Sequence, residues 1–124
     1  MQKEKVNQWI AIILSKLYEK FPERVYLCPE EIDPDANKQQ QNQIYSLIKW
    51  LEEEGIIRSS ASDLANYFHE TTLTLRGLAI LNSIPDNLKE KRKLGDLLTT
   101  VVKEGSINAI NQIVQNLFQL LLKG

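Results

Sequence analysis

At 124 residues, with 43% hydrophobic and 25% charged side chains, the chain has the length and composition of one globular domain able to bury a single core. Fifteen Lys and Arg against sixteen Asp and Glu leave a formal charge of −1, so net electrostatics select neither nucleic acid nor a membrane surface. The single cysteine, Cys28, excludes an intramolecular disulfide, and with no export signal in the opening MQKEKVNQW the expected setting is the reducing cytoplasm.

Val6, Trp9, Ile10, Ile13, Leu14, Leu17 and Phe21 recur at three- and four-residue steps and predict a first helix with one apolar stripe, ended by Pro22. Val25-Tyr26-Leu27 is a short β-prone run. Cys28-Pro29-Glu30-Glu31-Ile32 has the form of an opening helical turn, with proline at the first helical position and two carboxylates at the positive end of the dipole. Asp33-Pro34-Asp35 then interrupts the chain, so this second helix is expected to be truncated. The polar cluster Asn37 to Gln43 leads into Ile44, Leu47, Ile48 and Leu51, the buried face of a third helix ending near Gly55.

Ile56 to Ser60, a polar turn through Ala61, Ser62 and Asp63, and a return run from Phe68 to Leu73 predict a β-hairpin. Thr74 is placed to cap a fourth helix, Leu75 to Ile84, which Pro85 stops. Leu88 to Lys93 is a charged connector whose Lys89, Lys91, Arg92 and Lys93 form one basic cluster diluted by Glu90. Helical spacing resumes through Leu94, Leu97, Leu98, Val101 and Val102, pauses at Gly105-Ser106 and continues from Ile107 to Leu122. That last segment is the most apolar of the chain, but Asn108, Asn111, Gln112, Gln115, Asn116 and Gln119 interrupt it, so no membrane span and no membrane partner are expected.

The order helix, strand, helix, helix, hairpin, helix, with Leu51-Glu52-Glu53-Glu54-Gly55-Ile56-Ile57-Arg58 and Leu73-Thr74-Leu75-Arg76-Gly77-Leu78 as its most specific pieces, resembles the winged helix-turn-helix superfamily of bacterial regulators, MarR-like and PadR-like proteins in particular. The likeness runs over about residues 6 to 84. The implied fold class is mainly α with a small β-hairpin: a winged helix-turn-helix over residues 1–86, then a connector and C-terminal helical arm over 87–124 in the same globular unit. In physical terms, Leu51 anchors the third helix, Gly55 supplies its left-handed cap, and Gly77 permits close packing of the fourth helix on the sheet.

The resemblance implies a dimeric, DNA-binding transcriptional regulator. The cluster at the start of the third helix supplies amides that can pair with adenine edges, so Gln39, Gln40, Asn42 and Gln43 are candidate DNA contacts, with Lys38 and Lys49 as the best phosphate partners and Arg58 and Arg76 bracketing the wing. Against this, residues 28 to 76 hold four positive and nine negative side chains, a net of minus five. Duplex binding ordinarily draws on several Lys or Arg to neutralise phosphates. The same acidic balance suits a winged helix used as a non-catalytic protein-interaction or assembly module, and the two functions stay open at this point.

The C-terminal arm is apolar around more than one face, which calls for burial on several sides. Ile107, Ile110, Ile113, Val114, Leu117, Phe118 and Leu121 are the expected homodimer contacts, the competing reading being that the arm folds back onto the first helix. No catalytic machinery, cofactor or metal is expected. His69 is the only histidine and lacks partners for zinc or for a hydrolytic triad. Glu30, Glu31, Asp33 and Asp35 lack the glycine and terminal glutamate of a calcium loop. Cys28 sits before a helix start that can lower a thiol pKa, but reads more simply as a small core or capping residue.

Overall fold

The computed structural model describes residues 3–62 and 68–123. The chain runs α1 (Lys3–Lys20), β1 (Val25–Leu27), α2 (Pro29–Ile32), α3 (Lys38–Glu53), β2 (Ile57–Arg58), β3 (Ala61–Ser62), β4 (Phe68–Leu73), α4 (Leu75–Leu81), α5 (Leu94–Glu104) and α6 (Ile107–Lys123). It is mainly helical with a small antiparallel sheet, as composition and periodicity led us to expect.

β4 is the middle strand. On one side it pairs with β1, and on the other with β2 and β3. The partners Ile57↔Leu73, Arg58↔Thr72, Ala61↔His69 and Ser62↔Phe68 follow one register, bridged by the Ser60 amide donating to the His69 carbonyl (3.3 Å). β2 and β3 are thus two ends of one interrupted strand. Ala61 and Ser62 belong to that strand rather than to the expected turn, and Asp63 lies outside the described residues. Along the other edge the register shifts between Val25↔Thr71 and Leu27↔Phe68, an extra residue on β4 that coincides with Glu70 at φ +50°. A non-glycine residue in that region is the mark of a bulge that bends the strand.

α1 is the central element. Trp9, Ile10, Ala11, Ile13, Leu14 and Leu17 are all buried, an apolar arc wide enough for several neighbours. It packs most extensively against α5 and α6 and also meets α3 and β4. Phe21, placed by spacing on the same stripe, falls beyond the helix end and is exposed. Gly95 marks the tightest approach of α5: a Cβ there would lie 2.5 Å from the Tyr18 ring. Beside it the Tyr18 hydroxyl donates to Asp96 (3.1 Å), and burial, that hydrogen bond and the Asp96 charge all push the phenol pKa up.

α6 does not project as an arm. Ile110, Ile113, Val114 and Leu117 are buried within the chain's own core, so four of the seven expected dimer contacts are already occupied. The physical reason is the width of the α1 arc, which takes α5 and α6 together. Phe118 and Leu121 are half-buried, while Ile107 and Leu122 stay exposed. α4 also ends earlier than expected, at Leu81 rather than Ile84. Pro85 disfavours helical geometry at the residue before it, and the Ser83 carbonyl is taken by the Leu94 amide (2.7 Å).

Gly77 sits where α4 meets β2. The Thr74 amide donates to the Ile56 carbonyl (3.0 Å), the Thr74 hydroxyl accepts from the Gly77 amide (3.0 Å), and a Cβ on Gly77 would fall 2.2 Å from the Ile56 oxygen. Gly77→Ala is therefore expected to cost about 3 kcal/mol, the upper end for overpacking, because the gain of about 1 kcal/mol in helix propensity is smaller. Gly105→Ala, at φ +73° with nothing near its Cβ, is expected to cost about 1 kcal/mol for conformation alone. Urea denaturation of both variants measures the difference; equal losses would remove the contact argument.

Candidate nucleic-acid interface

The α2–α3 corner is built around one carboxylate. Asp33 accepts from the Trp9 indole (3.0 Å), from the Asp35 amide (3.1 Å) and from Lys5 (3.4 Å), and the Ala36 amide donates to its carbonyl (3.1 Å). Burial alone would raise the Asp33 pKa, but these donors and the Lys5 charge outweigh it and hold the carboxyl below its ordinary value of 3.8. The corner thus ties α1 to the start of α3. It also explains the short α2: Asp33 leaves helical geometry, its amide still bonded to the Pro29 carbonyl, one residue before Pro34.

The polar cluster that follows divides by role. Asn37 caps α3, its side chain accepting from the Gln40 amide (2.8 Å) while the Gln40 side chain accepts from the Asn37 amide (3.0 Å). This reciprocal capping box satisfies two helix-start donors. Gln41 donates to the Ala36 carbonyl (3.3 Å), and the Gln43 amide oxygen is buried without a partner among the described residues. Gln40 and Gln43 thus have structural roles, and their side-chain oxygens are turned to the helix start and the interior rather than outward. The capping box was legible as Asn37-x-x-Gln40; the inward turn of Gln43 follows from its place one residue before buried Ile44.

Lys38, Gln39 and Asn42 remain exposed. Steps of three and four carry the outward stripe on through Ser46 and half-exposed Lys49 to Glu53. Ser46 was not expected, although its position four residues after Asn42 gave the signal. From Lys38 to Lys49 this stripe is roughly 17 Å long at the helical rise, and it holds no carboxylate until Lys49 approaches Glu52 at 3.8 Å.

Several acids of the negative segment face inward or are paired. Glu31 meets Lys16 (3.3 Å), Asp33 is held as above, and Glu52 accepts from the Ser59 amide (3.3 Å) and hydroxyl (3.1 Å). Arg76 is not with the α3 face: it donates to the Glu54 and Leu121 carbonyls (the latter 3.4 Å) and joins the ends of α3 and α6. There it edges a hollow of about 410 Å³ lined by Leu14, Trp50, Leu117, Phe118, Leu121 and Leu122. Arg58 stands on the sheet beside α4, at the opposite end of α3 from Lys38.

The connector's basic cluster is partly internal. Arg92 bonds Glu90 (2.8 Å) and Thr100 (3.1 Å), and Lys91 bonds the Asp86 carbonyl. Burial pushes the Cys28 thiol pKa up, overriding any lowering from the helix start. The Tyr26 and His69 rings lie 5.0 Å apart on the sheet. Among the described residues no group of His, Cys, Asp and Glu could hold a metal, and no helix is long and apolar enough to cross a membrane. No family model, curated protein or solved structure matches the chain significantly.

Because the Asp33 pKa is lower folded than unfolded, its contribution to stability is present above the ordinary carboxylate range and is lost as pH falls through the folded value. Denaturation midpoints are expected to fall on acidification below about pH 4, and Asp33→Asn, which keeps an acceptor for Trp9, is expected to flatten that limb. An unchanged acid limb in the variant would show that other carboxylates carry it.

Proposed function

We propose that the chain is a winged-helix protein that binds duplex DNA as a transcriptional regulator, with the outward face of α3 entering the major groove. The order of elements, with β4 between β1 and β2, supports the winged-helix reading. The observation that carries the DNA reading is the stripe Lys38, Gln39, Asn42, Ser46 and Lys49, which offers amides and a hydroxyl to base edges between two cations. Of the acids that make the segment negative, Glu31, Asp33 and Glu52 are paired and Glu53 and Glu54 stand at the end of α3, while Asp35 is exposed just before the first turn.

The small cation count sets the magnitude. With Lys38 and Lys49 as the phosphate partners, the slope of log affinity against log salt is expected to be about −2 per copy, far shallower than for a protein making many phosphate contacts. Lys38→Ala and Lys49→Ala should each weaken binding across all sequences and reduce the slope by about 1. Asn42→Ala should instead relax sequence preference. A titration with random duplex DNA at low ionic strength that detects no binding overturns the proposal.

Self-association belongs to the same reading, with different contacts from those expected. Trp50 at 40% and Leu122 at 87% exposure flank the hollow between α3 and α6, and with Phe118 and Leu121 they form the apolar surface left over once α6 is docked. We place the contact between two copies there. Leu122→Glu is expected to give a monomer by light scattering with an unchanged unfolding midpoint, and a wild-type chain that is monomeric at high concentration rejects the pairing. The same surface, beside Glu53 and Glu54, supports the second reading of a protein-interaction module; a wild-type chain that is monomeric and does not bind duplex would favour it.

A further inference from the structure

The sheet's outer face carries a feature that the duplex reading does not use. Ile57 and Leu73 are paired and buried, so their neighbours Arg58 and Thr72, also paired, point away from the core. On the other side of β4, Arg24 precedes Val25, which pairs with Thr71, and this sets Arg24 beside Thr72. Arg24, Thr72 and Arg58 therefore form one row across three strands, with the two arginine backbones roughly 10 Å apart at ordinary strand spacing.

Three observations make this row a site. Arg24 and Arg58 are both exposed, and neither guanidinium has a hydrogen bond or ion pair among the described residues. Thr72 is 4% exposed, yet its hydroxyl has no hydrogen-bond partner there. All three line one hollow of about 340 Å³, whose other walls include Phe21, Leu75 and Leu78. Phe21 at 39% and Leu75 at 84% exposure are apolar surfaces left beside two unneutralised guanidinium groups.

We propose that this hollow binds a small organic anion, a carboxylate or phosphate carried on a short apolar body. Each guanidinium presents a planar fork of donors suited to two oxygens of such a headgroup. The Thr72 hydroxyl donates to the same headgroup, which removes the cost of a buried hydroxyl without a partner. Phe21, Leu75 and Leu78 cover the apolar body. The volume lies at the small end of ligand pockets and suits a single ring or a short chain.

The test is an NMR titration of the full chain with phenyl phosphate, benzoate, inorganic phosphate and benzyl alcohol. Phenyl phosphate or benzoate is expected to bind one to one, with shift changes centred on Arg24, Arg58 and Thr72 to Leu75, and the tighter of the two identifies the headgroup. Inorganic phosphate should bind at least about tenfold more weakly for want of an apolar body, and benzyl alcohol should not bind. Arg24→Gln and Arg58→Gln should each weaken binding by about tenfold. Thr72→Val should weaken it severalfold while the protein's thermal midpoint holds or rises, since a buried hydroxyl without a partner has been removed. Lys38→Ala should leave anion binding unchanged, which separates this site from the duplex reading. Absence of binding by both organic anions, binding indifferent to Arg24→Gln and Arg58→Gln, or shift changes centred on Trp50 and Leu121 would each overturn the proposal.

Discussion

The backbone carbonyl of Ile56 is the point on which the sheet side of the molecule turns. It accepts from the Thr74 amide at 3.0 Å, the Thr74 hydroxyl donates to the neighbouring Gly55 carbonyl at 2.6 Å, and the missing side chain of Gly77 lets α4 come up against the Ile56 oxygen. This contact joins the residue leaving α3 to the residue leaving β4. Once Thr74 is fixed against Ile56, Leu73 must lie opposite Ile57 and Thr72 opposite Arg58, because a slip of one residue would send every side chain to the wrong face. The register that buries Ile57 is therefore the register that sets Arg58 beside Thr72.

The helical side depends on α1 in a different way. A helix with a narrow stripe can cover one neighbour, but α1 buries Ile10, Ala11, Ile13 and Leu14 in succession and so offers more than half its circumference. That width is what draws α6 inward. Spacing alone shows that α6 needs cover on several sides, but it does not say whether the cover comes from the same chain. The answer was written in the other partner, in the consecutive apolar residues of α1, and in Gly95, which lets α5 close to the Tyr18 ring and complete the wall on which α6 rests.

How much could be read in advance follows this division between local and distant causes. Elements fixed by neighbours in sequence were legible: Pro29 at the start of α2, Gly55 at φ +78° after α3, Thr74 capping α4, and the pause at Gly105. Roles decided by distant contacts were not. Arg76 sits in sequence beside the hairpin, yet it bonds the Leu121 carbonyl across the fold. Gln43 is intermediate: its helix phase beside Ile44 was readable, but the burial of its amide oxygen without a partner among the described residues was not. Thr72 and Arg24 are 48 positions apart, and only the strand pairing brings them together.

The same distinction governs the electrostatics. A net charge of minus five over residues 28 to 76 treats all carboxylates alike, but a charge acts over about 8 Å in physiological salt. At that range the relevant quantity is which charges share a surface. Asp33 is enclosed by Trp9 and Lys5, and Glu52 is turned toward Ser59, so neither presents a free carboxylate to a ligand lying along the first turns of α3. Between exposed Asp35 and Glu53 the proposed reading face is thus less acidic than the segment's total. On the sheet, Arg24 and Arg58 stand with no carboxylate bonded to either among the described residues, so the strongest unneutralised positive potential need not lie on the helix that composition singles out. On the two proposals made above, the fold separates a lysine-bearing face of α3, suited to a diffuse polyanion, from a pair of arginines around a hollow, suited to a compact headgroup.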